Sequence, residues 1–256
     1  MSSDVKIVIP ARYGSSRLPG KPLADICGKP MVVRVCERVL QAIPHAELIV
    51  ATDDDRVSEV VLTNGYKSFL STLPHLSGTD RIAEVSATLG WDEQTKIINV
   101  QGDEPLVPVE LLRGFYEYVQ AQSLLEMATV SCPFDSINDV KDPSKVKIAV
   151  TPSESAVYFS RSVIPFNREL GISEKNLAQF KKHLGIYAYS ASTLAKIAGM
   201  PPTPNELAES LEQLRAIDNR IDIKVLHSEV RASPGVDTPE DLEKVRKLYR
   251  KCDESY

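Results

Sequence analysis

The sequence predicts an α/β protein built on a mostly parallel, Rossmann-like sheet, with helices on both faces and an antiparallel hairpin or extension in its second half. Three observations carry that prediction. Short β-branched runs at Val5–Ile9, Glu47–Ala51 and Lys96–Val100 alternate with longer amphipathic stretches, the rhythm of right-handed βαβ units. Two of those runs open into loops rich in glycine and charge, which is where such sheets bind nucleotides. From Lys145 onward the rhythm changes to two strands joined by a tight turn.

The bulk numbers are those of an ordinary globular chain, 256 residues long with 43% hydrophobic and 25% charged residues. A net charge of −5 argues against a general nucleic-acid binder or a protein held on anionic membranes. No apolar run reaches the roughly 18 residues of a membrane span, and the first residues lack a signal peptide's apolar core. A cytoplasmic protein without stable membrane association is therefore expected. Cys27, Cys36, Cys132 and Cys252 have no metal-type spacing and are expected to be free thiols.

Taken in order, Val5-Lys6-Ile7-Val8-Ile9 predicts a buried strand. It breaks into Pro10–Pro22, where 13 residues hold two glycines, two serines, three prolines and the cations Arg12, Arg17 and Lys21. Glycines let a backbone approach a ligand closely, and free N–H groups beside cations suit a phosphate. Two familiar templates fail. Five residues, not four, separate Gly14 from Gly20, and Pro22 stands where a Walker loop needs a hydroxyl; G-x-G-x-x-G is absent as well. This is a phosphate loop of another kind.

Met31–Ile43 has helical spacing, and Glu47–Ala51 is a second strand closed by Thr52-Asp53-Asp54-Asp55. Those acids read as a loop and N-cap for a helix over Arg56–Thr63, with a ribose contact by Asp53 as the alternative. Tyr66–Ser71 is a third strand. Ser77-Gly78-Thr79-Asp80, just before a helix over Ile82–Leu89, reads equally as a plain cap or as a ligand-binding turn. Lys96–Val100 then runs into Gln101-Gly102-Asp103-Glu104-Pro105. Acids at the carboxyl end of a strand, opposite a phosphate loop, are a natural place for Mg²⁺.

A helix over Pro108–Gln120 and a strand over Met127–Cys132 follow. Lys145–Thr151 and Ala156–Ser160 form the hairpin, Arg168–Lys182 is a polar, mobile excursion, and His183–Tyr189 is a further strand. The spacing predicts one helix over Asn205–Ile217 with Leu207, Leu211 and Leu214 as its apolar stripe, and Glu206, Glu209 and Glu212 on a solvated face. Asp222–Val230 is a last strand. Gly235-Val236-Asp237 precedes a terminal helix opened by Thr238-Pro239-Glu240-Asp241, where Asp237 is either a cap or a further site carboxylate.

The ordered blocks Pro10–Pro22, Ser77–Arg81, Asn99–Pro105, His183–Tyr187, Leu211–Arg215 and Gly235–Leu242 closely resemble the 3-deoxy-manno-octulosonate cytidylyltransferase (CMP-Kdo synthetase) family across nearly the whole chain. That resemblance implies Mg²⁺-dependent transfer of CMP from CTP to the acid sugar Kdo, with release of pyrophosphate, for lipopolysaccharide synthesis. It implies that Arg12, Ser15, Arg17 and Lys21 hold the CTP phosphates, and that Ala11 and Ser77, Gly78, Thr79 and Asp80 lie near the cytidine. Asp103 and Asp237 match the family's magnesium ligands, and Arg12, Lys21, Asp103 and Asp237 its catalytic set. Gln101, Arg161, His183, Tyr187, Glu212 and Gln213 match its sugar-acid contacts. The even offset between His183 and Tyr187 places both on one face of a strand.

The resemblance further implies a homodimer in contact through the hairpin region, and one domain over 1–256. That domain is a CTP-binding part over about 1–130, a sugar-binding and dimerisation part over about 131–235 and a closing helix over 236–256. The chain departs from the family pattern at Ile164–Arg168 and at Arg231–Pro234, both beside the expected sugar pocket. An 8-amino analogue of Kdo, another acid sugar such as a sialic acid, or a nucleotide-binding module without catalysis are the alternative readings.

Overall fold

The computed structural model describes residues 5–75, 77–231, 233 and 235–253. The expectations that touch Leu76, Ala232, Pro234 and the side chain of Cys252 lie outside the described residues. In chain order, β1 (Val5–Pro10) passes through a 3-10 turn at Lys21–Leu23 and a small ribbon, β2 (Asp25–Ile26) with β3 (Lys29–Pro30), into α1 (Met31–Ala42). Next come β4 (Glu47–Thr52), α2 (Asp55–Thr63), β5 (Lys67–Leu70), α3 (Gly78–Thr88), β6 (Lys96–Asn99), α4 (Val109–Ala121) and β7 (Met127–Pro133). The second half holds α5 (Ile137–Lys141), β8 (Lys147–Val150), β9 (Ala156–Ser160), β10 (Lys181–Ser190), α6 (Ala191–Ala198), α7 (Pro204–Glu209), α8 (Leu214–Asp218), β11 (Ile223–His227) and α9 (Pro239–Asp253).

The main sheet runs in the order β11-β7-β10-β6-β1-β4-β5, with the β8–β9 hairpin attached to the start of β10. β1 pairs in parallel with β4 and β6, β4 with β5, and β11 with β7. β10 is antiparallel to both of its neighbours, β6 and β7. The chain leaves β1 on one side for β4 and returns on the other as β6, so a crevice opens at the carboxyl ends of β1 and β6. Both phosphate-loop and acid-loop segments leave the sheet there.

β1 is buried on both faces, as a central parallel strand must be. Ile7 and Ile9 join Val35, Val39 and Phe115 of α1 and α4 on one face. Val8 joins Ile82, Val85 and Leu194 of α3 and α6 on the other. A smaller cluster seats α9, through Leu242 and Val245, together with Val236 just before it, against Ile26 and Met31. Cys27 and Cys36 are free thiols, and burial pushes the Cys36 thiol up to about 12. Among the described residues no helix is long and apolar enough to cross a membrane.

Four expectations are corrected or narrowed. The helix expected over Asn205–Ile217 is two short helices, because Ser210 takes a left-handed conformation (φ 52°) that ends α7. Leu207, expected in the apolar stripe, is 67% exposed, while Glu206, expected in solvent, is buried. The polar excursion expected at Arg168–Lys182 is largely exposed but anchored at two points: Phe180 lies in a cluster with Phe134 and Val140, and Asn176 is buried. In β8, Lys147 is fully buried where the alternation predicts a solvent-facing residue. Its ammonium donates to the carbonyls of Asp142, Lys145 and Arg161, which stitches the hairpin to the loop before it.

Candidate active site

The site begins with two backbones that nearly touch. A Cβ on Gly102 would stand 2.8 Å from the carbonyl oxygen of Pro10, so only glycine lets the β6 loop cross the β1 loop here. Ala11 is pinned by its own N–H to Ala51 O at 2.8 Å and by Thr52 Oγ1 donating to Ala11 O at 2.7 Å. The loop then wraps around Tyr13. The Tyr13 ring lies under the Arg56 guanidinium at 3.7 Å, and its N–H donates to Asp53 Oδ1 at 3.0 Å. Asp53 Oδ2 accepts from Arg81 Nη2 at 3.0 Å, so Asp53 is a strut between the phosphate loop and α3. The cap of α2 is Asp54, which accepts from Arg56 N. Ser15 Oγ accepts from Leu18 N, which tightens the next turn.

Lys21 is the meeting point. Its Nζ lies 2.6 Å from Asp103 Oδ2 and 3.0 Å from Asp237 Oδ1, and Arg17 Nη2 lies 3.0 Å from the same Asp237 oxygen. Val236 N donates to Asp103 O at 2.9 Å, so backbone joins the two carboxylate-bearing segments as well. Capping of α9 falls to Thr238 and Asp241, whose side chains and N–H groups bond reciprocally. Asp237 is thereby left to the site. The neighbouring Glu104 carboxyl is pushed up to about 7 by burial and by Asp103, with Lys182 opposing.

Around this point lies a hollow of about 450 Å³ lined by Ala11, Arg12, Ser15, Arg17, Lys21, Ser77, Gly78, Gln101, Asp103, Glu212 and Asp237. A second hollow of about 200 Å³ adjoins it, sharing Gly78, Gln101 and Glu212 and adding Thr79, Tyr187 and Gln213. In the first, cations and carboxylates stand together, with Lys21 on both Asp103 and Asp237 and Arg17 on Asp237. The second sets hydroxyl, amide and carboxylate groups beside the apolar Met127, Ile197 and Ala216, and its polar groups are a donor and acceptor set suited to a polyhydroxyl ligand.

α3 and α8 meet across the second hollow. Ser77 Oγ donates to Glu212 Oε1 at 3.2 Å, and burial raises the Glu212 carboxyl while Thr79 and Ser77 restrain it. Burial also raises the Tyr187 phenol well above its ordinary value. Asp80 serves the cap instead: its carboxylate accepts from Ser77 N while Ser77 Oγ accepts from Asp80 N. It is absent from the lining of both hollows.

His183 and Tyr187 do share a face, with ring centroids 5.4 Å apart, although β10 bulges between Leu184 and Tyr187. His183 lines a third hollow, of about 510 Å³, together with Gln213 and Glu104. Thr129 Oγ1 gives its one proton to a carbonyl, at 2.8 Å from Ile186 O, so His183 Nε2–H donates to it at 3.0 Å. Burial pushes that imidazole down to about 3. Arg161 stands outside all three linings. Its guanidinium donates to the carbonyls of Glu209, Pro143 and Ser210, and its N–H to Glu209 Oε2. Gln101 Nε2 reaches Gly185 O at 3.4 Å and so ties the acid loop to β10.

Sequence reasoning missed His75, Arg81, Asn99 and Tyr189 as lining residues. Arg81 directly follows the Ser77–Asp80 turn and His75 lies two residues before it, so both stand within the same short stretch of sequence. His75 Nε2 lies 2.6 Å from Glu84 Oε2. Burial pushes the Glu84 carboxyl up, yet hydrogen bonds from His75, Thr72 and Ser71 prevail and hold it at about 2. Asn99 and Tyr189 sit on paired strands, and only the pairing of β10 with β6 brings them together.

Two carboxylates gathered on one cation are a donor set that suits Mg²⁺, with the ammonium of Lys21 as stand-in. Among the described residues no group of three or more His, Cys, Asp or Glu side chains could hold a metal, so the protein would supply two carboxylates and a ligand the rest.

Residues 6–223 match the family described as Cytidylyltransferase. A 3-deoxy-manno-octulosonate cytidylyltransferase 2 of Burkholderia ambifaria (strain MC40-6) is 43% identical over 96% of this chain and 93% of its own. A 3-deoxy-manno-octulosonate cytidylyltransferase of Syntrophobacter fumaroxidans (strain DSM 10017 / MPOB) is 45% identical over 93% of this chain and 94% of its own. The solved structure of a CMP:2-keto-3-deoxy-manno-octonic acid synthetase complexed with CTP superposes with a TM-score of 0.87 at 43% identity, covering 97% of this chain and 99% of that one.

Proposed function

This chain belongs to the 3-deoxy-manno-octulosonate cytidylyltransferase family, and we propose that it transfers the cytidylyl group of CTP to the anomeric hydroxyl of Kdo. One observation carries the reading: a cationic loop and two carboxylates from distant parts of the chain converge at Lys21, beside a second hollow of hydroxyl-binding groups. In the proposed reaction the anomeric oxygen loses its proton to water and forms a bond to the α-phosphorus, the bond from that phosphorus to the β-phosphate oxygen breaks, and pyrophosphate leaves with the electron pair.

Arg12, Arg17 and Lys21 bind the triphosphate and oppose the negative charge that grows on its oxygens, which favours the transition state over the ground state. The narrow crossing at Gly102 fixes the phosphate loop against Asp103. Asp103 and Asp237 are the residues that would hold Mg²⁺. When bound, that ion would offset phosphate charge and lower the pKa of the attacking hydroxyl.

The sugar acid occupies the second hollow, where Gln101, Tyr187, Glu212 and Gln213 bond its hydroxyls. His183, neutral and donating to Thr129, supports Tyr187 from the side and faces the hollow that it shares with Gln213. Arg161 is a positioning residue in this reading: its fork holds the Glu209–Ser210 turn from which Glu212 and Gln213 project. The reading includes a cytoplasmic homodimer. The family resemblance supports it, and Phe166 at 86% exposed and Val157 at 52% exposed give the hairpin side apolar surface for a partner.

A pyrophosphate-release screen tests the reaction, with CTP offered against Kdo, its 8-amino analogue and a sialic acid in the presence of Mg²⁺. Release is expected with Kdo. No release with any of the three would overturn the reading, and release with another sugar alone would reassign the acceptor.

A further inference from the structure

Lys21 does something in this structure that binding phosphate does not require. Its ammonium lies between Asp103 and Asp237, within hydrogen-bond distance of both, and its side chain is only 14% exposed. The ammonium is drawn in from water onto the two carboxylates. The carboxylates also do not depend on it for their position, because Val236 N to Asp103 O joins their segments through the backbone. Two preformed carboxylates at this range repel each other unless a cation sits between them. Among the described residues no third acidic, cysteine or histidine ligand completes a metal site, so a divalent ion here needs oxygens from a ligand.

We propose that Lys21 is the place-holder for the divalent cation. It occupies the metal position in the nucleotide-free protein, and the ion enters with the triphosphate, whose phosphates draw the ammonium away on its flexible stem. This rests on the nucleotidyl-transfer reading above. The consequence is an order of loading: the free protein discriminates against bare divalent ions, and nucleotide opens the site. Arg17, also on Asp237 but 64% exposed, adds a weaker, solvated version of the same block.

The test is Mn²⁺ binding, followed as free Mn²⁺ by electron paramagnetic resonance, with no acid sugar and no turnover. Without nucleotide, Lys21→Met is expected to bind Mn²⁺ at least about tenfold more tightly than wild type, since a like charge leaves the site. Lys21→Arg keeps a cation in place and is expected to bind as weakly as wild type. Adding CTP is expected to raise wild-type affinity and to close the gap to Lys21→Met. Equal or weaker Mn²⁺ binding by Lys21→Met without nucleotide, while Asp103→Asn still removes the CTP-dependent binding, overturns the place-holder and leaves the metal ligands standing. Absence of any Asp103-dependent Mn²⁺ binding, with or without CTP, overturns the metal assignment and the place-holder together. Circular dichroism on each variant separates these results from misfolding.

Discussion

Glu206 and Arg215 form a bidentate ion pair inside the protein, with Nε on Oε2 at 2.9 Å and Nη2 on Oε1 at 2.5 Å. The pair spans the left-handed break at Ser210 and so locks α7 to α8, between which Glu212 and Gln213 reach the second hollow. Arg215 also donates to the carbonyls of Ile197 and Met200, which ties both helices to α6. Glu206→Ala leaves a guanidinium charge buried without its partner and is expected to cost about 3–5 kcal/mol of stability. Chemical denaturation measures this; a loss below about 1 kcal/mol would mean that the pair is not structurally central.

Asp103→Asn is expected to stay folded, because Asp103 is a cleft carboxylate with one partly exposed ion pair. Its stability should change by no more than about 1 kcal/mol. Turnover is expected to fall about 100-fold or more, as for the loss of a charge acting on the transition state. Normal turnover with intact CTP binding would remove Asp103 from the catalytic set.

Gly102→Ala brings a methyl carbon to 2.8 Å from Pro10 O, a backbone atom that cannot swing aside. The phosphate loop and the acid loop must then separate. A stability loss of about 1–3 kcal/mol is expected, with a larger relative loss of CTP affinity measured by calorimetry. Unchanged CTP affinity would show that the crossing is not what sets the loop.

Burial pushes the His183 imidazole from its ordinary 6.5 down to about 3. Above pH 6.5 both folded and unfolded chains keep it neutral, and the group has no effect on stability. As the pH falls from there towards 3, only the unfolded chain takes up the proton, so stability drops by about 1.4 kcal/mol per pH unit. His183→Gln keeps a donor for Thr129 and is expected to flatten this part of the profile, read by denaturation between about pH 7.5 and 4.5. An unchanged slope would assign the acid sensitivity to other groups.

What could be read from the sequence was what is local. β1, β4, β6 and their loops follow from β-branched runs and glycine-bearing breaks, and the nucleotide side of the site sits on those loops. The acids at 206, 209 and 212 were not readable in the same way. One pairs with Arg215, one holds Ser160 and the Arg161 backbone, and one lines the cleft. Their shared spacing implied a shared face only while the helix was continuous, and a serine in a left-handed turn carries little local signal. Lys147 was hidden for a related reason: two carbonyls from the loop before β8 and one from just after β9 make its burial tolerable, and none of them is visible in a strand's alternation. Asp237 was ambiguous because its neighbours Thr238 and Asp241 form the cap, which only their mutual bonds reveal.

The place of β10 sets a timetable for the growing chain. β6 finds β1 as soon as both have been made, but its other edge stays bare until Tyr187 can pair with Asn99. β7 waits for the same partner. On the ribosome, then, the β6 edge stands open from residue 99 and is joined by that of β7 from residue 133 until β10 begins at residue 181, a span over which unpaired edges invite wrong partners. The strand that closes them also carries His183 and Tyr187. Closing the middle of the sheet thus also sets Tyr187 into the second hollow with His183 beside it, so a chain stalled or cut before residue 181 would lack both.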